Sequence, residues 1–277
     1  MPKPPGQMKV TRLPLTGAKL TAPLNLAQRG MPALDSIHSV VKFKGKYRII
    51  KSTEVDSYED TPTAIALKKA LVGKKPSGAS LAAAMKAPAP AGDDFMGSAR
   101  KAAKLSIAKG AAKTSKDLSA LIASLTPDDK MIHHTPKITT APTSGRVSEE
   151  MRNVRVSAFL YAASREADND FHLIIGRDPH SPPEMYMTME LSALPPSNSP
   201  AFATLNTTRT AYKKFFSKNL PNLTYDYYTP PIPVTITGSL FFDMTHAVGT
   251  RPGPASLKSR MPTIWEVHPI TSIKLGP

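Results

Sequence analysis

Three short phrases in this 277-residue chain set an acid beside a histidine: Asp170-Phe171-His172, Asp243-Met244-Thr245-His246 and Glu266-Val267-His268. Carboxylate plus imidazole is a ligand set for a divalent metal and equally an acid/base pair. Gathered at one rim, His172, His246 and His268 would hold zinc, manganese or iron and activate water against a phosphodiester. The plainer alternative keeps the same residues structural: Asp170 accepts turn amides, Glu266 pairs with an arginine, and the histidines cap loops. The adjacent His133 and His134 cannot share a strand face and stay outside the constellation. No glycine-rich phosphate loop and no GxSxG is present, which speaks against nucleotide hydrolysis and serine-hydrolase chemistry. The absence of cysteine excludes thiol nucleophiles, disulfides and zinc–thiolate sites.

Strands must position these pairs, because residues i and i+2 share a face. Asp170 with His172, and Glu266 with His268, then point one way, while Phe171, Leu173, Trp265 and Val267 point into a core. Alternation predicts strands over 154–164, 171–176, 185–191, 234–243 and 264–275. A helix is predicted over about 200–219, with Phe202, Leu205, Tyr212, Phe215 and Phe216 as its apolar positions, and Met185, Met187 and Met189 fill core. Three strands, a helix and two strands match the five-stranded, partly open barrel called the OB-fold, and Gly238 suits the sharp bend of a small barrel. The expected fold class is therefore mainly β with helices (α+β), with the barrel at residues 146–277.

The first half has a different texture. Residues 1–150 carry 24 Lys/Arg against 12 Asp/Glu, and residues 151–277 carry 12 against 9. Such a polycation suggests nucleic acid or another polyanion as partner, the alternative being a soluble Lys-rich tail without one. Residues 1–36 read as a disordered or draped tail, and 37–72 as a β-hairpin turning at Lys44-Gly45-Lys46 plus a short helix from Thr61 to about Val72. In the hairpin Val41, Phe43, Tyr47 and Ile49 are the inward positions. Residues 73–145 read as a basic Ala/Lys/Pro-rich linker containing the APAPAG stretch, a basic helix over 98–113, a short helix Ser115–Leu125 capped by Ser115, and a Thr-Pro-rich run over 126–145. Lys101, Lys104, Lys109 and Lys113 are the expected phosphate contacts. Tyr225, Tyr227 and Tyr228 offer aromatic faces for stacking bases, or pin the loop before the fourth strand. No signal peptide and no transmembrane run is visible, so a cytoplasmic location without membrane contact is expected.

The runs DNDFHLIIG, VTITGSLFFDMTHAVG and TIWEVHPITSIKL together resemble an uncharacterised family of bacterial domains. Its members read as an Asp-Phe-His strand, a Gly-x-x-Phe-Phe-Asp-x-x-His segment and a Trp-Glu-Ile/Val-His-Pro ending. The resemblance covers residues 151–277, implies that Asp170, His172, Asp243, His246, Glu266 and His268 belong to its motifs, and brings no activity with it. The leading expectation is a binding module for nucleic acid or another polyanion rather than an enzyme. A metal-dependent, phosphodiesterase-like hydrolase with a divalent ion at the acid–histidine residues is the alternative, and a structural or secretion-associated interaction protein is the third.

Overall fold

Lys44 and Gly45 take φ of 45° and 72°, the left-handed backbone a tight reversal needs. Around them Ile37–Phe43 (β1) and Tyr47–Ser52 (β2) pair antiparallel, with Phe43 opposite Tyr47. Phe43, Tyr47 and Ile49 are buried as alternation requires, and Val41 packs against them half-buried. This computed structural model describes residues 30–56, 92–247 and 251–277. The helix expected over Thr61–Val72, the APAPAG stretch before Gly92 and most of the N-terminal tail lie outside the described residues.

The chain is mainly β with a few helices. The remaining strands are Lys113–Thr114 (β3), Asn153–Arg165 (β4), Phe171–Gly176 (β5), Tyr186–Leu191 (β6), Asp226–Phe242 (β7) and Trp265–Leu275 (β8). They form one sheet in the order β1-β2-β7-β8-β6-β5-β4-β3, and β4 also pairs with β7, which bends the sheet into a partial ring. Within the ring β6 and β8 run parallel and the other neighbours antiparallel. The fourth predicted strand is longer than its pattern suggested. It begins at Asp226, and its first turn of pairing, Asp226 to Thr229, binds the hairpin strand β2.

Between β6 and β7 the helix Phe202–Phe216 buries Leu205, Tyr212 and Phe216, one stripe at helical spacing. Inside the ring, Phe171, Leu173 and Ile175 meet Met187, Met189 and Leu191 from β6 and Trp265 and Val267 from β8. Gly238 sits where the β7–β8 register shifts, and a Cβ there would lie 2.4 Å from the Pro269 carbonyl oxygen. Only a residue without a side chain lets the two backbones approach so closely.

Residues 92–145 depart most from expectation. The basic helix shrinks to the single turn Lys101–Lys104 (α1), and β3 runs parallel to β4 as an edge strand. The next helix spans Leu118–Ala123 (α2), capped by Asp117, whose Oδ1 accepts from the Ala120 amide at 2.8 Å, so the cap lies two residues beyond Ser115. The Thr-Pro-rich run forms a further turn of helix, Asp128–Ile132 (α3), and buries Met131 and Ile138. With α1 to α3 placed, Phe202–Phe216 is α4. No helix among the described residues is long and apolar enough to cross a membrane.

Candidate functional site

Of the acid–histidine residues, His172, Glu266 and His268 lie on the face of β5 and β8 that points away from the ring interior, Asp170 just precedes β5, and Asp243 and His246 follow β7. His172 stands opposite Glu190 and Thr188 opposite Glu266, so β5, β6 and β8 lay a polar row beside one another. Alternation assigned these faces correctly: Trp265 and Val267 enter the core and Glu266 and His268 turn the other way. The expectation that this second face is displayed at a rim fails. Glu266 and His268 are wholly buried, and so are Asp170 and His172.

The cover is the basic segment read from sequence as linker. It is held by buried arginines as well as by apolar groups such as Leu118, Leu121 and Met131. Arg100 forks onto Glu150 (2.7 and 2.8 Å) and also donates to the carbonyls of Gly145 and Phe242. Arg146 donates to the carbonyls of Ala103, Ser106, Leu240 and His268, tying α1 to β7 and β8. Arg209 of α4 bonds Asp93 and the carbonyls of Asn169, Leu191 and Ser192. A guanidinium saturates several carbonyls at once, so it fixes irregular backbone that helices and strands do not satisfy.

Beneath this cover the predicted pairs are re-sorted. Asp170 approaches His268 (Oδ2 to Nε2, 3.4 Å) rather than His172. His268 Nδ1 lies 2.8 Å from Glu190 Oε2 and 3.6 Å from Glu266 Oε2. His172 turns to Glu166 and Asp56, at 2.5 and 3.5 Å, with Thr188 on its other nitrogen. His246 faces Asp243 at 3.6 Å. Donor atoms gather within 4.8 Å of one another in three sets, Asp56–Glu166–His172, Asp170–Glu190–His268 and Asp243–His246–Glu266. His172, His246 and His268 thus head separate clusters instead of converging on one ion.

Asp170 does accept an amide, but Oδ1 takes it from Ala193 beyond β6 at 2.6 Å and not from its own turn. Glu266 does not behave as the structural reading expected. Among the described residues no arginine reaches it, and both of its oxygens are buried without a hydrogen bond. The 2.8 Å contact of His268 with Glu190 is likewise not aligned as a hydrogen bond, so both ring nitrogens of His268 lack a directed partner.

An ammonium, Lys104 of α1, also enters the row, 3.6 Å from Asp168 and 3.9 Å from Glu190. Burial alone would lower its pKa, but Glu190 and Asp168 outweigh burial and hold it well above the usual lysine range. Burial pushes Glu190 up, yet His268 and Lys104 overcome that and keep it well below the ordinary carboxylate range. Asp170 and Glu266 show the opposite outcome: burial, with Asp168 and Glu190 as like-charge neighbours, raises both well above it. Asp243 is lowered: burial opposes ionisation, but His246, Lys104 and Thr245 prevail.

The other expected contacts separate by exposure. Lys101, Lys109 and Lys113 are exposed, whereas Lys104 is buried and occupied by carboxylates, so it presents no charge to an outside phosphate. Tyr225, just before β7, and Tyr227 and Tyr228 within it are all buried and offer no ring to a base. Sequence reasoning passed over Glu190, although it shares a period-two face with Thr188, opposite the methionines. It also passed over a groove of about 220 Å³ between β3, α2 and the start of β4, lined by Lys113, Ser115, Lys116, Ser124 and Arg152 among others, with no acid in its lining. Arg152 is steadied there by the Ser124 carbonyl and hydroxyl at 2.9 and 3.0 Å.

No family model, no curated protein and no solved structure matches this chain.

Proposed function

We propose that the chain is a binding module for a polyanion, nucleic acid first, and that its anion site is the groove between β3, α2 and β4. The observation that carries this reading is the lining of that groove, where Lys113, Lys116 and Arg152 converge with no carboxylate among them. Thr114, also in the lining, lies opposite Arg155, an exposed cation on the neighbouring strand β4. The pairing order supports reading the ring as an OB-like barrel, with α4 between its third and fourth strands, a scaffold that presents oligonucleotides on an open surface. Exposed Lys101 and Lys109 extend the positive surface along the same segment.

Catalysis at the acid–histidine row fits less well. A hydrolytic metal keeps an open coordination position for water and substrate, and wholly buried Glu266 and His268 give a phosphodiester no approach. The row is therefore read as part of the scaffold.

Fluorescence anisotropy with a labelled single-stranded oligonucleotide, titrated across salt, tests the proposal. Each phosphate contact on a single strand contributes about −0.7 to the slope of log K against log salt. Lys113→Ala/Lys116→Ala should therefore weaken binding and flatten that slope by roughly 1.4. No binding at low salt, or an unchanged slope in the double variant, removes the groove from the account.

A further inference from the structure

Glu266 poses a problem that the polyanion reading leaves untouched. It is 0% exposed, both carboxylate oxygens lack a hydrogen bond, and no arginine or lysine pairs with it. Its donor atom lies within 4.8 Å of one from Asp243 and one from His246, and His246 Nε2 stands 3.6 Å from Asp243 Oδ2. Oxygen and nitrogen ligands about 2.0–2.2 Å from a shared ion are separated from one another by roughly 3–4 Å, which these spacings approach.

Asp243 is built to present a single oxygen. Its Oδ1 is engaged by the Thr245 amide and hydroxyl (2.8 and 2.7 Å), which fixes the carboxylate and turns Oδ2 towards His246. The 3-10 turn Met244–His246 then brings the imidazole back over the strand end. The neighbouring set Asp170–Glu190–His268 already has Lys104 beside it. Lys104 also acts on Asp243 and Glu266, but from farther off, and among the described residues no lysine or arginine forms an ion pair with either carboxylate.

We propose that Asp243, His246 and Glu266 form a binding site for a divalent first-row metal ion, with zinc or manganese as the class suited to one imidazole and two carboxylates. The ion supplies the partner that both Glu266 oxygens lack and joins the end of β7 to the start of β8. Asp243 and His246 are 4% and 8% exposed and Glu266 is 0% exposed, so Glu266 forms the deepest part of an almost wholly buried site. The role is structural, because the buried floor leaves no position for a substrate.

The test uses full-length protein stripped with a chelator, dialysed, and then offered Zn²⁺ or Mn²⁺ alone. Expected are one tightly bound ion per chain by elemental analysis and calorimetry, and a rise in unfolding temperature with added metal. Glu266→Gln should weaken metal binding at least tenfold and abolish the thermal shift, while its metal-free form unfolds no lower than metal-free wild type, since an uncompensated buried carboxylate has gone. Asp243→Asn keeps the Oδ1 acceptor for Thr245, provides the check if Glu266→Gln folds poorly, and should also lose the ion. Failure of both metals to bind stoichiometrically overturns the proposal, as does wild-type affinity in the folded variants; Glu266 is then simply a buried neutral carboxyl.

Discussion

Replacing Arg100 by methionine tests whether buried charge, rather than apolar packing, holds the cover on the acid–histidine row. Arg100 makes four hydrogen bonds, two of them the fork onto Glu150, and its guanidinium lies 4.7 Å from the Phe241 ring centroid. Breaking a buried ion pair from one side costs about 3–5 kcal/mol, because the surviving charge is left uncompensated. Here Glu150 keeps the amides of Val147 and Phe242, both at 2.8 Å, so the loss belongs at the lower end, near 3 kcal/mol. At roughly 2–4 °C per kcal/mol for a chain of this size, the midpoint should fall by about 6–12 °C. Urea denaturation of wild type, Arg100→Met, Glu150→Gln and the double variant gives the coupling directly. Hydrogen exchange adds a local readout: the amides of Leu105 and Ser106 should exchange faster in Arg100→Met, while those in β5 and β6 keep their order. A loss below about 1 kcal/mol, or strictly additive single variants, would refute the idea that this pair fastens the segment.

Burial raises the Asp226 carboxyl to about 6 against the opposing pull of Lys51, 2.6 Å away. Ionising it in the folded chain is therefore costly, and stability should decline between about pH 4 and 6 by up to roughly 3 kcal/mol and then level off. Asp226→Asn should flatten that part of the profile, and an unchanged profile in the variant would count against the assignment. Gly238→Ala places a methyl against the Pro269 carbonyl and Val267, neither free to withdraw, so a loss of about 1–3 kcal/mol is expected in thermal unfolding. Trp265→Phe leaves the Thr126 carbonyl without its indole donor (2.7 Å) and opens space beside Phe242, for a loss of about 1–3 kcal/mol in the same assay.

Alternation in FHLIIG, MYMTMEL and IWEVHPI was enough to place strands and to sort their faces, because side-chain direction follows the backbone period. The period cannot say whether the second face meets water. Glu266 and His268 look like surface residues by type, and their burial involves groups distant in sequence, such as Arg146, which donates to the His268 carbonyl, and Phe241, which packs on the imidazole. Arg100, Lys104 and Arg146 were themselves misread, since composition treats lysine and arginine as solvated and cannot register a guanidinium that collects carbonyls. Tyr225, Tyr227 and Tyr228 failed for a related reason: adjacent aromatics imply an open platform only if one side of their strand is bare, and the hairpin and α4 close both. The helix cap shifted by two residues because Asp117, not Ser115, reaches a free amide.

β7 changes partners along one edge, binding β2 through Asp226–Thr229 and β8 from Val234 onward, with prolines 230, 231 and 233 between the two stretches. Order of assembly follows. The hairpin is synthesised before β7, and among the described strands the partner of β2 outside the hairpin comes some 175 residues later, as the Lys51–Asp226 separation records. Long closures of this kind are slow, so the hairpin should be the last element to gain protection in refolding. During synthesis the β2 edge cannot meet this partner until residues 226–229 have emerged.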